Sequence, residues 1–130
     1  MNIQSTLKIA VVAASVFAFF FAQPAEAADG KNAYKKYCQA CHQPAGKGLA
    51  GVFPPLADNP NIKDKPDYIA QTIVKGKSGA VTVNGTTYNG SMPPMAYLKD
   101  TDIAAIVNYV NTELANGSST IQADAVAGSR

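Results

Sequence analysis

The five residues Cys38-Gln39-Ala40-Cys41-His42 bring two thiols and one imidazole within about one helical turn. Thiols at i and i+3 share a helix face, so both can add to the two vinyl groups of one porphyrin. The histidine directly after them can reach the porphyrin iron with a ring nitrogen. This is the attachment pattern of a c-type haem. The chain has 2 cysteines and 1 histidine, and all of them lie in this pentapeptide. Two other chemistries compete for it. A dithiol redox motif expects a βαβ context, but here a lysine-rich helical stretch precedes the cysteines and a Pro/Gly loop follows them. A structural zinc site needs four ligands, one more than the pentapeptide offers.

An iron held by His42 needs a second axial partner or an open face. No second histidine exists, so bis-histidine ligation is excluded. Once a leader carrying Met1 is removed, the thioethers are Met92 and Met95, both in Gly90-Ser91-Met92-Pro93-Pro94-Met95. Proline directly after Met92 limits that residue to extended conformations, and a stiff loop can hold a weak sulfur ligand on iron. Met92 is therefore the expected ligand and Met95 the alternative. The bland reading of both is core filler.

The elements that must position these groups are legible in part. Residues 1–27 read as a signal peptide. Lys8 precedes an uncharged run from Ile9 to Ala22, and Ala25-Glu26-Ala27 suits cleavage after Ala27. As a helix the run spans about 21 Å, short of a hydrocarbon core of about 30 Å. Retention as a membrane anchor is the alternative. About 100 residues then remain, enough for one domain.

Asp29 can cap a first helix from about Gly30 to Gln39, with Gly30, Tyr34 and Cys38 on one face. Residues 44–61 read as a loop rich in proline and glycine, yet Leu49, Val52, Phe53 and Leu56 require something apolar to wrap. A second helix is expected over Pro66 to Lys75, closed by Gly76 as a left-handed cap, with Ile69, Ile73 and Tyr68 inward. Asn84-Gly85 between β-branched runs predicts a hairpin pairing Val83 with Thr86, Thr82 with Thr87 and Val81 with Tyr88. Ile103, Ile106, Val107, Val110 and Leu114 form one helical stripe, capped by Asp100 or Thr101 and ended by Gly117. Residues 118–130 have little to bury and read as a disordered tail behind a domain of residues 28–117.

The net charge is +2, without the basic excess of a nucleic-acid footprint. Lys35, Lys36, Lys47, Lys75 and Lys77 can steer an acidic partner toward an exposed haem edge, or simply keep the protein soluble.

With these motifs together, the chain resembles the class I cytochromes c over nearly all of its length after the expected signal peptide. Cys38-x-x-Cys41-His42 and Met92-Pro93-Pro94 match the family's haem and methionine motifs. Gly30 and Tyr34 match its first helix, and Ile106 and Tyr109 its terminal helix. Phe53-Pro54-Pro55-Leu56, the hairpin and the methionine loop are similar to small bacterial cytochromes, including cytochrome domains attached to membrane-bound alcohol dehydrogenases. The resemblance implies that the Pro54 carbonyl accepts the His42 ring N–H and that Leu56 packs on haem. It implies an all-α fold: three main helices around one covalent haem c, with a short β-hairpin inserted before the methionine loop. One departure is Lys99, where many relatives carry a Ser or Thr helix cap.

The expected function is one-electron transfer between exported, periplasmic redox partners (a dehydrogenase, oxidase or reductase), by a monomer or a subunit of a redox complex. No catalytic residue is expected. The rival is a peroxidase-like haem enzyme or gas sensor with an open sixth site. That chemistry needs distal donors, and His42 is already committed to the iron.

Overall fold

A computed structural model describes residues 28–130, so the expected leader, residues 1–27, lies outside the described residues. Five α-helical segments and one two-stranded sheet follow in order. They are α1 (Gly30–Tyr37), α2 (Gln39–His42), α3 (Pro66–Lys75), β1 (Lys77–Val83), β2 (Thr86–Met92), α4 (Asp100–Tyr109) and α5 (Ala123–Ala127). The fold is mostly helical rather than purely so.

α1 starts where its cap dictates. One Asp29 carboxylate oxygen accepts the Lys31 and Asn32 backbone N–H groups at 3.0 and 3.2 Å, satisfying donors the first turn leaves free. Its inward face crosses α4. A Cβ on Gly30 would strike the Ala105 carbonyl oxygen and sit 2.9 Å from Tyr109 Cβ, so hydrogen is all that fits at the crossing. One turn on, Tyr34 is 1% exposed, with its ring 5.5 Å from that of Tyr109. The expected continuation to Gln39 is corrected: the helix breaks at Cys38 (φ −118°) and resumes as α2.

α3 has the expected bounds, with Pro66 in its first turn and Gly76 beyond its end. Ile69 and Ile73 are buried, whereas Tyr68 is exposed, with the Lys77 ammonium 5.6 Å from its ring. Gly76 is not a left-handed cap. Its φ of 72° and ψ of 178° fall in a region essentially reserved for glycine. A Cβ there would lie 2.6 Å from the Met92 carbonyl oxygen.

The hairpin has the expected register and is longer than expected, running out to Lys77 opposite Met92. Both turn residues have positive φ, 49° at Asn84 and 81° at Gly85. Val83 and Tyr88 are buried on one face, while the Thr82 and Thr87 hydroxyls lie 3.0 Å apart on the other. Beyond that, Lys-Ser-Gly-Ala and Asn-Gly-Ser carry little strand propensity. Backbone pairing and a 3.0 Å bond between the Ser78 and Ser91 hydroxyls hold them together.

In α4, Lys99 occupies the cap position and makes no side-chain cap bond, so neither Asp100 nor Thr101 serves as cap. The whole stripe from Ile103 to Leu114 is buried. The α-helix itself ends at Tyr109 and passes into a π-helical turn, Val110–Leu114.

The expected disordered tail is also corrected. Ser118 and Ser119 donate their backbone N–H groups to one Asp64 carboxylate oxygen at 2.7 and 3.0 Å. Asn108 meets both backbone groups of Ile121, at 3.0 and 2.8 Å. Ile121 and Val126 enter the core, and α5 packs on α4 and α3. Two apolar side chains suffice because Asp64 and Asn108 satisfy the polar backbone at Ser118, Ser119 and Ile121. Among the described residues no helix is long and apolar enough to cross a membrane.

Candidate haem-attachment site

The break at Cys38 does not scatter the attachment motif. Cys38 N–H still donates to Tyr34 at 2.9 Å, and the Cys38 carbonyl accepts from Cys41 and His42 at 3.2 and 2.9 Å. The two thiols therefore stay one turn apart. Both are free; Cys38 is buried and Cys41 exposed. Burial, with a smaller contribution from Cys41, pushes the Cys38 thiol up to about 11. The attacking thiol of a dithiol redox motif is shifted the other way, so Cys38 is not poised as one. Among the described residues no three His, Cys, Asp or Glu side chains converge as metal ligands.

His42 is oriented by the group the resemblance implied. Its Nδ1 lies 3.0 Å from the Pro54 carbonyl oxygen. A carbonyl only accepts, so Nδ1 carries the proton and donates, and Nε2 keeps the lone pair. Burial holds the imidazole below its ordinary range, outweighing the opposing hydrogen bond to Pro54. A neutral ring with a bare, oriented Nε2 is what an iron ligand needs. Free paired thiols beside such a nitrogen fit a covalently attached haem.

The supports of His42 are backbone ones. Tyr34 donates its hydroxyl to the Gln43 carbonyl at 2.7 Å, fixing the chain as it leaves α2. Gln43 has φ 62° and ψ 165°, a strained conformation for a side-chain-bearing residue. Gly48 donates to the His42 carbonyl at 2.8 Å. Asn59, buried, donates to the Pro55 carbonyl at 2.8 Å and so steadies the Pro54-Pro55-Leu56 segment. Sequence reasoning missed these supports. The glycines between Pro44 and Asn61 were their one visible trace.

Gly48 is the most restrictive of them. Its φ is 66°, and a Cβ would lie 2.5 Å from the Phe53 carbonyl oxygen, 2.7 Å from Pro55 N and 2.8 Å from the Pro54 carbonyl carbon. Gly48→Ala should displace the acceptor of the His42 ring and cost on the order of 3 kcal/mol in thermal unfolding of the haem-loaded protein. Gly51 has φ 73° with open space around it, so Gly51→Ala should cost only the conformational penalty, about 1 kcal/mol. Equal costs would show that packing at Gly48 is irrelevant.

Leu56, Met92 and Met95 are half-buried and pack against one apolar cluster that includes Cys38. Met92 is the last residue of β2 rather than part of a free loop, and the Met95 N–H donates to the Ile73 carbonyl at 2.8 Å. The candidate site thus draws on α2, the loop of residues 44–61, and the segment between β2 and α4.

Comparison with known proteins agrees with this geometry. Residues 27–113 match the family model of cytochrome c. Over 89 residues the chain is 40% identical to cytochrome c-552 of Thermus thermophilus, a match covering 65% of this chain and 67% of that one. A second cytochrome c-552 of the same species, again 40% identical, is matched over 60% of its length. The cytochrome subunit of fructose dehydrogenase from Gluconobacter japonicus is 32% identical over 108 residues, which cover 75% of this chain and 21% of that subunit. The cytochrome c subunit of a quinone alcohol dehydrogenase from Gluconacetobacter polyoxogenes is 29% identical over 100 residues, with 67% and 19% coverage. Two thirds of the chain thus fall under one family description, and its thiols and imidazole are arranged as covalent haem attachment requires. This protein belongs to the cytochrome c family, with covalently bound haem c and a role in electron transport.

Proposed function

We propose that the chain is an exported carrier of single electrons, with thioethers at Cys38 and Cys41 and with His42 and Met92 as axial ligands. The observation that carries this reading is the hydrogen bond from His42 Nδ1–H to the Pro54 carbonyl, which leaves Nε2 free beside two unpaired thiols. In this reading α1, α3 and α4 are the three main helices around the porphyrin, and Leu56 packs on it. Met92 is the sulfur ligand because pairing with Lys77 and the following proline fix its backbone, while its side chain lies against the cluster holding Cys38. The bound haem iron supplies one-electron chemistry between its ferrous and ferric states. A thioether ligand and apolar packing both raise the potential, since they disfavour the added positive charge of ferric iron.

With the one histidine of the chain directed at iron, no imidazole is left for acid–base work on a substrate. That favours a carrier over a peroxidase-like enzyme. Several relatives are cytochrome subunits of dehydrogenases, so a dehydrogenase is a natural electron donor and an oxidase or reductase a natural acceptor. Export to the periplasm rests on residues 1–27, and membrane attachment would follow only if that segment were retained.

Redox titration of the purified haem-loaded protein tests the proposal. It should give one reversible one-electron wave, with the weak far-red absorption band of a ferric iron–thioether bond. Rapid binding of carbon monoxide by the ferrous wild type, together with peroxide turnover, would replace this reading with the open-site enzyme.

A further inference from the structure

The cap position of α4 is held by Lys99, whose side chain makes no cap bond. The chain just before it would present bare carbonyls, yet one distant side chain collects them. Arg130 donates from Nη1 to the Ala96 carbonyl, from Nη2 to the Leu98 carbonyl at 2.7 Å, and from Nε and Nη2 to one Asp100 carboxylate oxygen at 2.8 and 2.6 Å. A planar guanidinium fork can span three acceptors in this way, whereas a lysine ammonium cannot. Arg130 is delivered there by residues 118–129, which Asp64 and Asn108 tie down and Val126 anchors with full burial.

These acceptors are continuous with the segment bearing both methionines. Met95 N–H is tied to Ile73 of α3, and Leu98 N–H to the Met95 carbonyl at 3.1 Å. On the other side, Gly76 lies flush against the Met92, Pro93 and Pro94 backbone. The segment therefore has α3 and Gly76 as one wall and Arg130 as the fastening of its far end.

We infer that Arg130 is a positioning residue for the methionine segment, clamping residues 96–100 so that the thioether stays on iron. The inference rests on Met92 ligation as proposed above. An iron–thioether bond is weak, so its lifetime is governed by how often the chain around the sulfur opens locally. A side chain well beyond the methionines in sequence thereby controls how readily the sixth position is vacated.

The test uses the full-length haem-loaded protein as wild type, Arg130→Ala and Arg130→Lys. Two quantities are measured: the rate at which imidazole displaces the native ligand from ferric iron, and amide hydrogen exchange at Met95 and Leu98. Arg130→Ala should accelerate both by about fivefold or more, through loss of several charge-assisted bonds. Arg130→Lys keeps the charge without the fork and should show most of the same increase. Unchanged displacement and exchange in folded Arg130→Ala would overturn the inference. A lower melting temperature with displacement unchanged would also overturn it, because that is what mere scaffolding predicts. If Arg130→Ala does not accumulate, the same two measurements on Arg130→Lys decide. If the wild type lacks the far-red band, the thioether reading itself fails and the clamp falls with it; if the band is present and displacement is unchanged in Arg130→Ala, the clamp alone is overturned.

Discussion

Met92→Ala should abolish the far-red band, open ferric iron to cyanide and ferrous iron to carbon monoxide, and lower the reduction potential by on the order of 0.1–0.3 V. The potential falls because the thioether favours ferrous iron, and whatever replaces it in the emptied position favours the ferric state more. Met95 offers a matched control. Its side chain is also half-buried against the core, and its backbone is tied to α3. Met95→Leu keeps nearly the same volume and should leave the spectrum intact at a cost under about 1.5 kcal/mol. The reverse pattern, with the band lost in Met95→Leu and retained in Met92→Ala, would move the ligand three residues along the chain.

Replacing both Cys38 and Cys41 with alanine should leave no haem-stained band after denaturing electrophoresis, and either single replacement should leave at most one thioether. The consequences should reach the fold as well as the cofactor. Cys38 belongs to the buried cluster, and so small a domain depends on a large apolar porphyrin to enlarge its core. The double variant should show helical circular dichroism well below that of the haem-loaded protein. Wild-type protein that exports and folds without staining would remove the basis of covalent attachment altogether.

What could be read in the sequence was mostly what neighbours in the chain decide. Pro66 and Gly76 bracket α3 because a missing N–H and a glycine-only conformation are properties of single residues. Asn84-Gly85 set the register of the hairpin because two positive φ angles permit one turn. The stripe from Ile103 to Leu114 is the arithmetic of 3.6 residues per turn. The pentapeptide around Cys38 was legible for the same reason: its chemistry fits inside one turn.

The rest was hidden because its cause lies elsewhere in the chain. Nothing local to Gly48 reveals that the Phe53–Pro55 backbone will lie against it. Nothing local to Arg130 names Ala96, Leu98 and Asp100 as its partners. The segment of residues 118–130 looked too polar to order itself, and it is ordered by Asp64 and Asn108. The outer hairpin, Lys77–Ala80 with Asn89–Met92, lacked β-branched residues to announce it.

The crossing at Gly30 also sets an order of events in the making of the protein. It joins α1 to α4, segments roughly 75 residues apart, and such a distant pairing forms late because the intervening loop must close first. Cys38 lies one turn beyond Tyr34, on the side of the chain that this closure buries, and ends only 8% exposed. Attachment of haem through Cys38 is therefore easiest while the chain is still open, before α1 and α4 dock.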